Sequence, residues 1–199
     1  RCLAHYIDDP KYTREILEGD VHTANQKMAG LETRDQAKTF IYAFLYGASP
    51  PKIGSIIGKD ARAGYRLIDK FLKAMPKLSK FRERTMMEAE ESNMIKGLDG
   101  RYFHIKSSHS AVNTLLQGAG AIICKEWLYH ITNYIEDKGL NAKAVANIHD
   151  EVQFEVHKLD AEEFCTVSKQ AMKDTEESLS VRCPLDSEAK IGLNWSETH

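Results

Sequence analysis

TRDQAKTFIYAFLYG, residues 33–47, predicts more about the fold than any other stretch of this 199-residue chain. Thr33 and Gln36 stand three residues apart, which is the spacing of a helix capping box. Gly47 is of the residue type that commonly ends helices, and Pro50-Pro51 prevent this helix from continuing. The sequence therefore predicts a helix that is defined at both ends.

One face of this helix carries two cations and an aromatic ring. Four residues advance a helix by roughly 400°, so Arg34, Lys38 and Tyr42 form one slowly drifting stripe. Two fixed cations beside an aromatic ring suit a polyphosphate that carries a sugar and a base. Tyr46 lies about 120° round from Arg34 by the same count and could face a different ligand. The alternative is a solvated helix with two basic residues and core tyrosines.

The composition is that of an ordinary globular protein. Hydrophobic residues make up 42% and charged residues 28%, and the formal net charge is -2. No apolar run approaches the length that spans a membrane, and no signal-peptide pattern opens the chain. Cys2, Cys124, Cys165 and Cys183 form no C-x-x-C pair, which argues against a zinc site and against a disulfide framework. We therefore expect a protein of the reducing cytoplasm.

The charges are unevenly distributed, which matters more for nucleic-acid contact than the net value. The segment 62–84 has eight basic residues against two acidic ones, and the segment 160–177 has six acidic residues against two lysines. This pattern fits a protein that touches phosphates on one side only, although two ordinary surface helices would also produce it. The basic residues are Arg62, Arg66, Lys70, Lys73, Lys77, Lys80, Arg82 and Arg84.

Apolar periodicity predicts further helices and a few short strands. Gly118 and Gly120 fall inside the longest predicted helix, where each costs about 1 kcal/mol relative to alanine. They indicate a close approach by another backbone or a ligand, or tight helix packing. Helices are expected at 12–18, 24–29, 60–75, 77–91, 110–137 and 160–179, a turn region with one helical turn at 49–58, and strands at 101–105, 144–148, 152–156 and 185–191.

The triplet His149-Asp150-Glu151 separates two predicted strands, which indicates a tight hairpin with the acidic pair at its tip. In the second strand Val152, Phe154 and Val156 are expected to face the core. Carboxylates on a tight turn suit Mg²⁺, which usually takes one or two protein carboxylates together with phosphate and water. Taken alone, the triplet could also be a plain turn. An HD-type metal phosphohydrolase would need further histidines at helical spacings.

The helix pattern R-x3-K-x3-Y-x3-Y-G, with H-D-E far downstream, resembles the family A DNA polymerases, and most closely the replicative polymerases of short-tailed bacteriophages. The resemblance extends from Arg1-Cys2-Leu3-Ala4-His5 to Gly192-Leu193-Asn194-Trp195, with a shortened region around 90–94. It implies an α+β, mostly helical fold of fingers helices and part of an antiparallel palm sheet. Residues 1–95 would form the fingers, with the end of the first palm motif at 1–5, and residues 96–199 the C-terminal palm portion with its long DNA-facing helix and motif hairpin.

The resemblance implies roles for particular residues. Arg34 and Lys38 would hold the triphosphate of the incoming nucleotide, with Lys38 also counted as catalytic, and His22 would reach the same phosphates. Tyr42 would pack against the sugar, and a tyrosine there implies tolerance of nucleotides that lack the 3′-hydroxyl. The residues that would contact primer-template DNA are Tyr46, Gly47, Arg101, Asn113, Gln117, His149 and Gln153.

Asp150 and Glu151 would be metal ligands and catalytic residues, in a complete enzyme that uses two Mg²⁺ ions. The implied activity is nucleotidyl transfer from dNTPs to a primer 3′-end, with primer-template DNA, dNTPs and the remainder of the polymerase chain as partners. Because Arg1 resembles the arginine that follows the family's first metal-binding aspartate, we expect that aspartate upstream of this chain. The chain alone is then expected to be nearly inactive, in the cytoplasm of a phage host.

Two rival functions remain at this point. Single-subunit RNA polymerases share R-x3-K and Y-G but resemble H-D-S at the palm motif and lack the aromatic at the Tyr42 position, so Glu151 and Tyr42 favour DNA synthesis. The other rival is a module that only binds duplex DNA or a partner protein, which the basic segment 62–84 supports.

Overall fold

The structure is a computed structural model that describes residues 1–198. The chain divides into two compact units, Arg1–Gly118 and a second unit that begins at Ala119. As predicted, the described residues form an α+β, mostly helical protein, and their strands make two separate antiparallel hairpins. The division into compact units reflects packing alone, so the boundary between residues 95 and 96 stays a prediction.

Capping side chains precede several helices of the first unit. Asp9, Asp20, Thr33 and Asp60 accept hydrogen bonds from the first backbone amides of the helices that follow, which have no partner inside the helix. The elements are α1 (Cys2–Ile7), α2 (Pro10–Leu17), α3 (Val21–Ala29), α4 (Arg34–Leu45), α5 (Pro50–Ile56), α6 (Ala61–Ala74), α7 (Pro76–Ser92), β1 (Met94–Lys96), β2 (Tyr102–His104), a 3-10 turn (Ser108–Ser110) and the start of α8 (Ala111–Lys138).

Aromatic rings form the centre of the first unit. Phe40 and Phe44 on α4 meet Phe71 on α6 edge-on, with ring centroids 5.1 Å and 5.7 Å apart. Phe40 and Phe71 are fully buried, and burying a phenylalanine stabilises a fold by about 1.5–3 kcal/mol. This packing fixes which face of α4 is buried, so that the opposite face is left to solvent.

The ring of Phe103 on β2 lies between two glycines. A Cβ at Gly97 would lie 2.6 Å from the ring, and a Cβ at Gly118 on α8 would collide with it. Gly118 therefore serves tight packing, whereas a Cβ at Gly120 would have no neighbour within 4 Å. In the hairpin Ile95 pairs with Phe103, and the sequence analysis did not predict its first strand, β1.

The second unit contains the rest of α8, β3 (Ala142–Ile148), β4 (Glu151–Val156), α9 (Ala161–Ser178) and α10 (Trp195–Thr198). Two hydrogen bonds join α8 to α9. Trp127 donates from Nε1 to the buried carbonyl of Ser168, and Tyr134 donates from its hydroxyl to Asp174, each at 2.8 Å. None of the helices in residues 1–198 combines the length and the apolar character needed to cross a bilayer.

Two local predictions were wrong. Residues 185–191, expected as a strand, are irregular, because side chains of α9 hold the backbone of Leu185. Its amide donates to Glu176 and its carbonyl accepts from Lys173. Residues 49–58 contain α5, which has 7 residues rather than the single turn expected. Its first two residues are prolines, whose missing N–H costs nothing at a helix start.

Candidate functional site

Helix α4 begins and ends as predicted. Thr33 Oγ1 accepts from the Gln36 amide at 3.1 Å, and the Gln36 side chain accepts from the Thr33 amide at 3.3 Å, so the capping box is complete. Gly47 follows the helix with a φ of 76°, and a Cβ there would lie 2.8 Å from the His109 carbonyl oxygen. Glycine is therefore required by conformation and by space.

The predicted stripe on α4 faces solvent. Arg34, Lys38 and Tyr42 are all exposed, and 47% of Tyr42 is accessible. Phe40 and Ile41 on the other side of the helix are buried. The alternative in which the tyrosines belong to the core is therefore wrong for Tyr42, whose ring is available to a ligand.

Asp20 holds the guanidinium of Arg34. Arg34 Nε lies 2.7 Å from Asp20 Oδ2, and Nη2 lies 3.2 Å from Oδ1, so the contact is bidentate. This hydrogen bonding lowers the pKa of the Asp20 carboxyl far below its usual range and raises the pKa of Arg34. Asp20 was not among the residues predicted from the sequence to belong to a site. Its position directly before Val21 and His22, where an aspartate commonly caps a helix, could have identified it.

Asp20 also fixes the start of α3. Its Oδ1 accepts from the amides of His22 and Thr23, at 3.0 Å and 3.4 Å. The cap places His22 in the first turn of α3, with its ring 6.2 Å from the ring of Tyr42. One surface therefore collects side chains from α3 and α4, and we call it the α3–α4 patch: Asp20, His22, Arg34, Lys38 and Tyr42.

Buried polar groups lie next to this patch. Burial raises the pKa of Tyr12, and the neighbouring side chain of Asn25, which is 1% exposed, opposes this rise. His22 Nδ1 and Asn25 Oδ1 are buried and have no hydrogen-bond partner among residues 1–198. Unpaired buried polar atoms are costly, so these two atoms lower the stability of the fold.

Two residues predicted to contact DNA contact each other. Gln117 Nε2 on α8 donates to the hydroxyl of Tyr46, which closes α4, at 3.1 Å. Asn113 lies one helical turn before Gln117 and is half-buried. The contact joins the end of α4 to the first turns of α8, so the predicted template-side and duplex-side residues are neighbours.

Arg101 is also held by an aspartate. Its Nε lies 2.7 Å and its Nη2 2.6 Å from Asp99 Oδ2. The pairing lowers the pKa of Asp99 and raises that of Arg101. Both arginines assigned from the family resemblance, Arg34 and Arg101, are therefore bound to carboxylates of the chain itself.

The acidic pair lies on a tight hairpin in the second unit. Ile148 pairs with Glu151, so the tip consists of His149 and Asp150 alone. Asp150 is at the tip as predicted, whereas Glu151 is the first residue of β4, which corrects the expectation that both acids share the tip. His149 has a φ of 56°, a conformation that costs a residue with a side chain and that recurs at functional sites.

The groups on this hairpin fit a divalent cation. Asp150 and His149 are exposed, Glu151 is half-buried, and the Gln153 side chain donates a hydrogen bond to the Glu151 carboxylate. Two adjacent carboxylates, Asp150 on the tip and Glu151 at the start of β4, match the oxygen ligands that Mg²⁺ takes from proteins. Across residues 1–198 no group of three or more His, Cys, Asp and Glu side chains is arranged to hold a metal.

A cavity of about 350 Å³ lies behind β4. Val152, Phe154 and Val156 line it, as their predicted inward orientation requires, but Glu151 and Gln153 line it as well. Phe154 packs on Phe164 of α9 with ring centroids 4.7 Å apart. The strand is therefore supported by α9 within the second unit.

A sequence profile described as DNA polymerase family A matches residues 1–197. The chain belongs to this family. Among curated relatives, the DNA-directed DNA polymerases of Enterobacteria phage T3 and Escherichia phage T7 are 43% and 41% identical over the whole chain, and that of Escherichia phage Phieco32 is 40% identical over 94% of it. The chain spans 32% of the length of each of these three polymerases.

Bacterial members of the family are more distant. DNA polymerase I of Pseudomonas aeruginosa is 27% identical over the whole chain, which spans 24% of that protein. The POL domain of Pol1 from M. smegmatis, solved in complex with DNA primer-template and dNTP, matches with a TM-score of 0.79 and 18% identity, over 87% of this chain and 34% of that one. This structural match supports the polymerase fold of the chain.

Family membership argues against the single-subunit RNA polymerase and the HD-type phosphohydrolase. The DNA-binding-only alternative loses part of its support because four cations of the segment 62–84 contact the protein itself. Lys70 lies over Gly30, Lys73 pairs with Asp69, Lys77 donates to the Asp8 carbonyl, and Arg82 lies 6.0 Å from the Phe44 ring centroid.

Proposed function

We propose that this chain is the nucleotide-binding and palm-motif part of a template-directed DNA polymerase. The observation that carries the proposal is the α3–α4 patch, where an exposed arginine, lysine and tyrosine share one helix face beside a histidine. The phage relatives are DNA-directed DNA polymerases by name. In the proposed reaction a primer 3′-hydroxyl attacks the α-phosphorus of a dNTP, and pyrophosphate leaves.

The patch would bind the dNTP through its triphosphate and its sugar. The planar guanidinium of Arg34 suits bidentate contact with phosphate oxygens. Lys38, a compact charge with three donors, would neutralise the charge that develops on the departing pyrophosphate, and this is the catalytic role we assign to it. His22 would donate to the same phosphates, and the exposed ring of Tyr42 would pack on the sugar.

The DNA would contact the end of α4 and the start of α8. Tyr46 and Gly47 are assigned to the template base, and Arg101 to the primer-template. Asn113 and Gln117 project together one helical turn apart, and their amides can pair with acceptors in the minor groove that all correct base pairs share. Such contacts would detect the shape of a base pair without reading the sequence.

The hairpin is assigned to the metal and the primer end. Asp150 and Glu151 would hold Mg²⁺, which in a pair would activate the attacking oxygen and stabilise the leaving one. The exposed carboxylate of Asp150 is the accessible ligand, and Gln153 would orient Glu151. His149 is assigned to the primer terminus. The proposal requires these groups and the α3–α4 patch to reach the same nucleotide.

A chimera tests the proposal. Residues 1–199 replace the matching segment of the phage T3 polymerase, and extension of a primed template by dNTPs is followed on gels. We expect extension by the chimera and its loss with Asp150→Ala. Extension should be retained with Glu155→Ala, which removes an exposed carboxylate from β4, the strand that follows Asp150. A folded chimera that binds primer-template but incorporates no dNTP would contradict the proposal.

The same assay separates DNA synthesis from simple DNA binding. A binding-only module predicts that DNA affinity is unaffected by Asp150→Ala and that no nucleotide is incorporated under any condition. A polymerase predicts incorporation that requires a divalent cation and the template-complementary dNTP.

A further inference from the structure

We propose that Asp20 is a counter-ion that occupies Arg34 until a polyphosphate displaces it, and thereby limits how readily this site accepts anions. The proposal rests on the nucleotide-binding function proposed above. Two donors of the guanidinium, Nε and Nη2, are both committed to the Asp20 carboxylate. Carboxylates and phosphates use the same planar pair of guanidinium donors, so a phosphate can take these two donors only when Asp20 releases them.

The exchange is feasible because the pair is exposed. The Arg34 and Asp20 side chains are 51% and 42% accessible to solvent, and ion pairs of this kind hold only weakly. A triphosphate, with several negative charges, can therefore outcompete one carboxylate. A neutral nucleoside has no charge with which to displace Asp20. The ion pair therefore favours highly charged anions over neutral ligands.

Lys38 provides the contrast on the same helix face. It is exposed one turn after Arg34 and makes no ion pair with any of residues 1–198. An anion can therefore meet Lys38 directly, and the Nε and Nη2 donors of Arg34 join once Asp20 has moved. Asp20 thus acts through Arg34 and is a positioning residue rather than a catalytic one.

The capping role of Asp20 can be separated from its charge. Oδ1 of Asp20 caps α3 through the amides of His22 and Thr23. Asparagine is as good an N-cap as aspartate, so Asp20→Asn keeps α3 intact while removing the negative charge that holds Arg34. A variant that destroyed the cap, such as Asp20→Ala, would confuse the two roles.

Calorimetric titration of inorganic tripolyphosphate into the 199-residue chain, at pH 7 and low ionic strength, tests the proposal. Asp20→Asn should tighten binding roughly two- to five-fold, because an exposed competitor of modest strength has been removed. Arg34→Gln should weaken binding. The double variant Asp20→Asn with Arg34→Gln should bind tripolyphosphate as tightly as Arg34→Gln alone, because Asp20 competes with the anion only for Arg34.

A matched control removes the same charge elsewhere. Asp69 pairs with Lys73 on α6 at 2.7 Å, and both are exposed. Asp69→Asn changes the net charge by the same amount, and we expect its affinity for tripolyphosphate to match that of the unmodified chain. Higher salt should shrink the gain from Asp20→Asn, because exposed charges are screened.

Each other outcome has a definite meaning. If Asp20→Asn weakens binding, Asp20 orients Arg34 for the ligand and does not compete with it, and the proposal is overturned. If Asp20→Asn still tightens binding of tripolyphosphate after Arg34 has been replaced by glutamine, the tighter binding is a general charge effect. This result would also overturn the proposal. If Arg34→Gln weakens binding of tripolyphosphate but Asp20→Asn leaves it unchanged, the counter-ion role fails while the nucleotide-binding function stands. If neither the unmodified chain nor any variant binds tripolyphosphate or dNTP, the counter-ion role and the nucleotide-binding function both fail.

Discussion

The side chain of Gln117 on α8 donates a hydrogen bond to the hydroxyl of Tyr46 at the end of α4, at 3.1 Å and across 71 positions of sequence. The two residues were assigned to DNA from separate motifs. Their contact means that one assigned DNA-binding group satisfies the hydrogen bonding of the other. Bound DNA would have to share or replace this hydrogen bond.

The Tyr46–Gln117 contact should be visible as coupling in stability measurements. Tyr46→Phe removes only the hydroxyl, and we expect it to lower the free energy of unfolding by about 0.5 kcal/mol, the low end for a neutral hydrogen bond because both residues are exposed. Gln117→Ala made in the Tyr46→Phe background should cost nothing further through this contact. Urea unfolding of the unmodified protein, the two single variants and the double variant gives a double-mutant cycle. Fully additive losses of stability would show that no hydrogen bond forms between these two side chains in solution.

Gly118 and Gly120 should respond oppositely to alanine. Gly118→Ala forces a methyl group against Phe103, and we expect a loss of about 1–3 kcal/mol from overpacking, offset in part by the better helix propensity of alanine. Gly120→Ala has open space around it and should gain about 0.5–1 kcal/mol. Thermal or urea unfolding compares the two. Equal stabilisation by both would mean that Phe103 does not occupy the gap.

Tyr6 and Tyr134 form a second matched pair. The hydroxyl of Tyr6 is buried and has no hydrogen-bond partner among residues 1–198, while its ring stacks on Phe81 at 5.5 Å. Removing the hydroxyl with Tyr6→Phe should therefore stabilise the protein by about 1 kcal/mol. Tyr134→Phe removes a hydroxyl that donates a hydrogen bond to Asp174 at 2.8 Å, and it should destabilise the protein by a similar amount. The reverse order in urea unfolding would contradict the assigned contacts.

Alkaline pH should reveal the burial of Tyr6. Burial, more than the charge of Cys2, raises the pKa of Tyr6 to about 12 in the folded protein. Since this pKa exceeds the ordinary value near 10, the ionisation of Tyr6 favours unfolding as the pH rises through that interval, and its contribution is fully present below the interval. Ultraviolet difference spectra should show tyrosine absorbance that titrates late, and part of this late absorbance should be absent from Tyr6→Phe. Titration of all tyrosines together near pH 10 would exclude this burial.

Tyr42 should govern the use of chain-terminating nucleotides. In the phage T3 chimera, Tyr42→Phe should lower incorporation of dideoxynucleotides relative to dNTPs by roughly tenfold or more, equivalent to about 1.4 kcal/mol. The reason is that the tyrosine hydroxyl can supply the polar partner that the missing 3′-hydroxyl leaves absent. Tyr65→Phe, an exposed tyrosine on α6, is the control. An unchanged ratio would remove Tyr42 from the sugar site.

Local features of the fold could be predicted because their causes lie within a few residues. The capping box of Thr33 and Gln36, the hairpin of β3 and β4, and the long helix α8 all follow from neighbouring side chains and periodicity. The exposed stripe of Arg34, Lys38 and Tyr42 follows from the same helical spacing. The family also followed from residues visible in the chain, because the motifs of α4 and the hairpin are specific in combination.

Other features depended on contacts between distant segments. The short strand β1 exists because β2 pairs with it, and its three residues carry too little pattern to predict it alone. Residues 185–191 have the pattern of a strand, but side chains of α9 bind the backbone of Leu185. The reason for Gly118 became visible only when Phe103 was placed against it.

The sequence by itself determined most of the helices, the capping box of α4, the hairpin of β3 and β4, and the family of this protein. The tertiary structure alone decided which partner each charged or polar side chain has. It pairs Arg34 with Asp20 and Gln117 with Tyr46. The physical reason is range: backbone preferences act over a few residues, whereas a hydrogen bond or ion pair requires atoms within about 3–4 Å that only packing brings together.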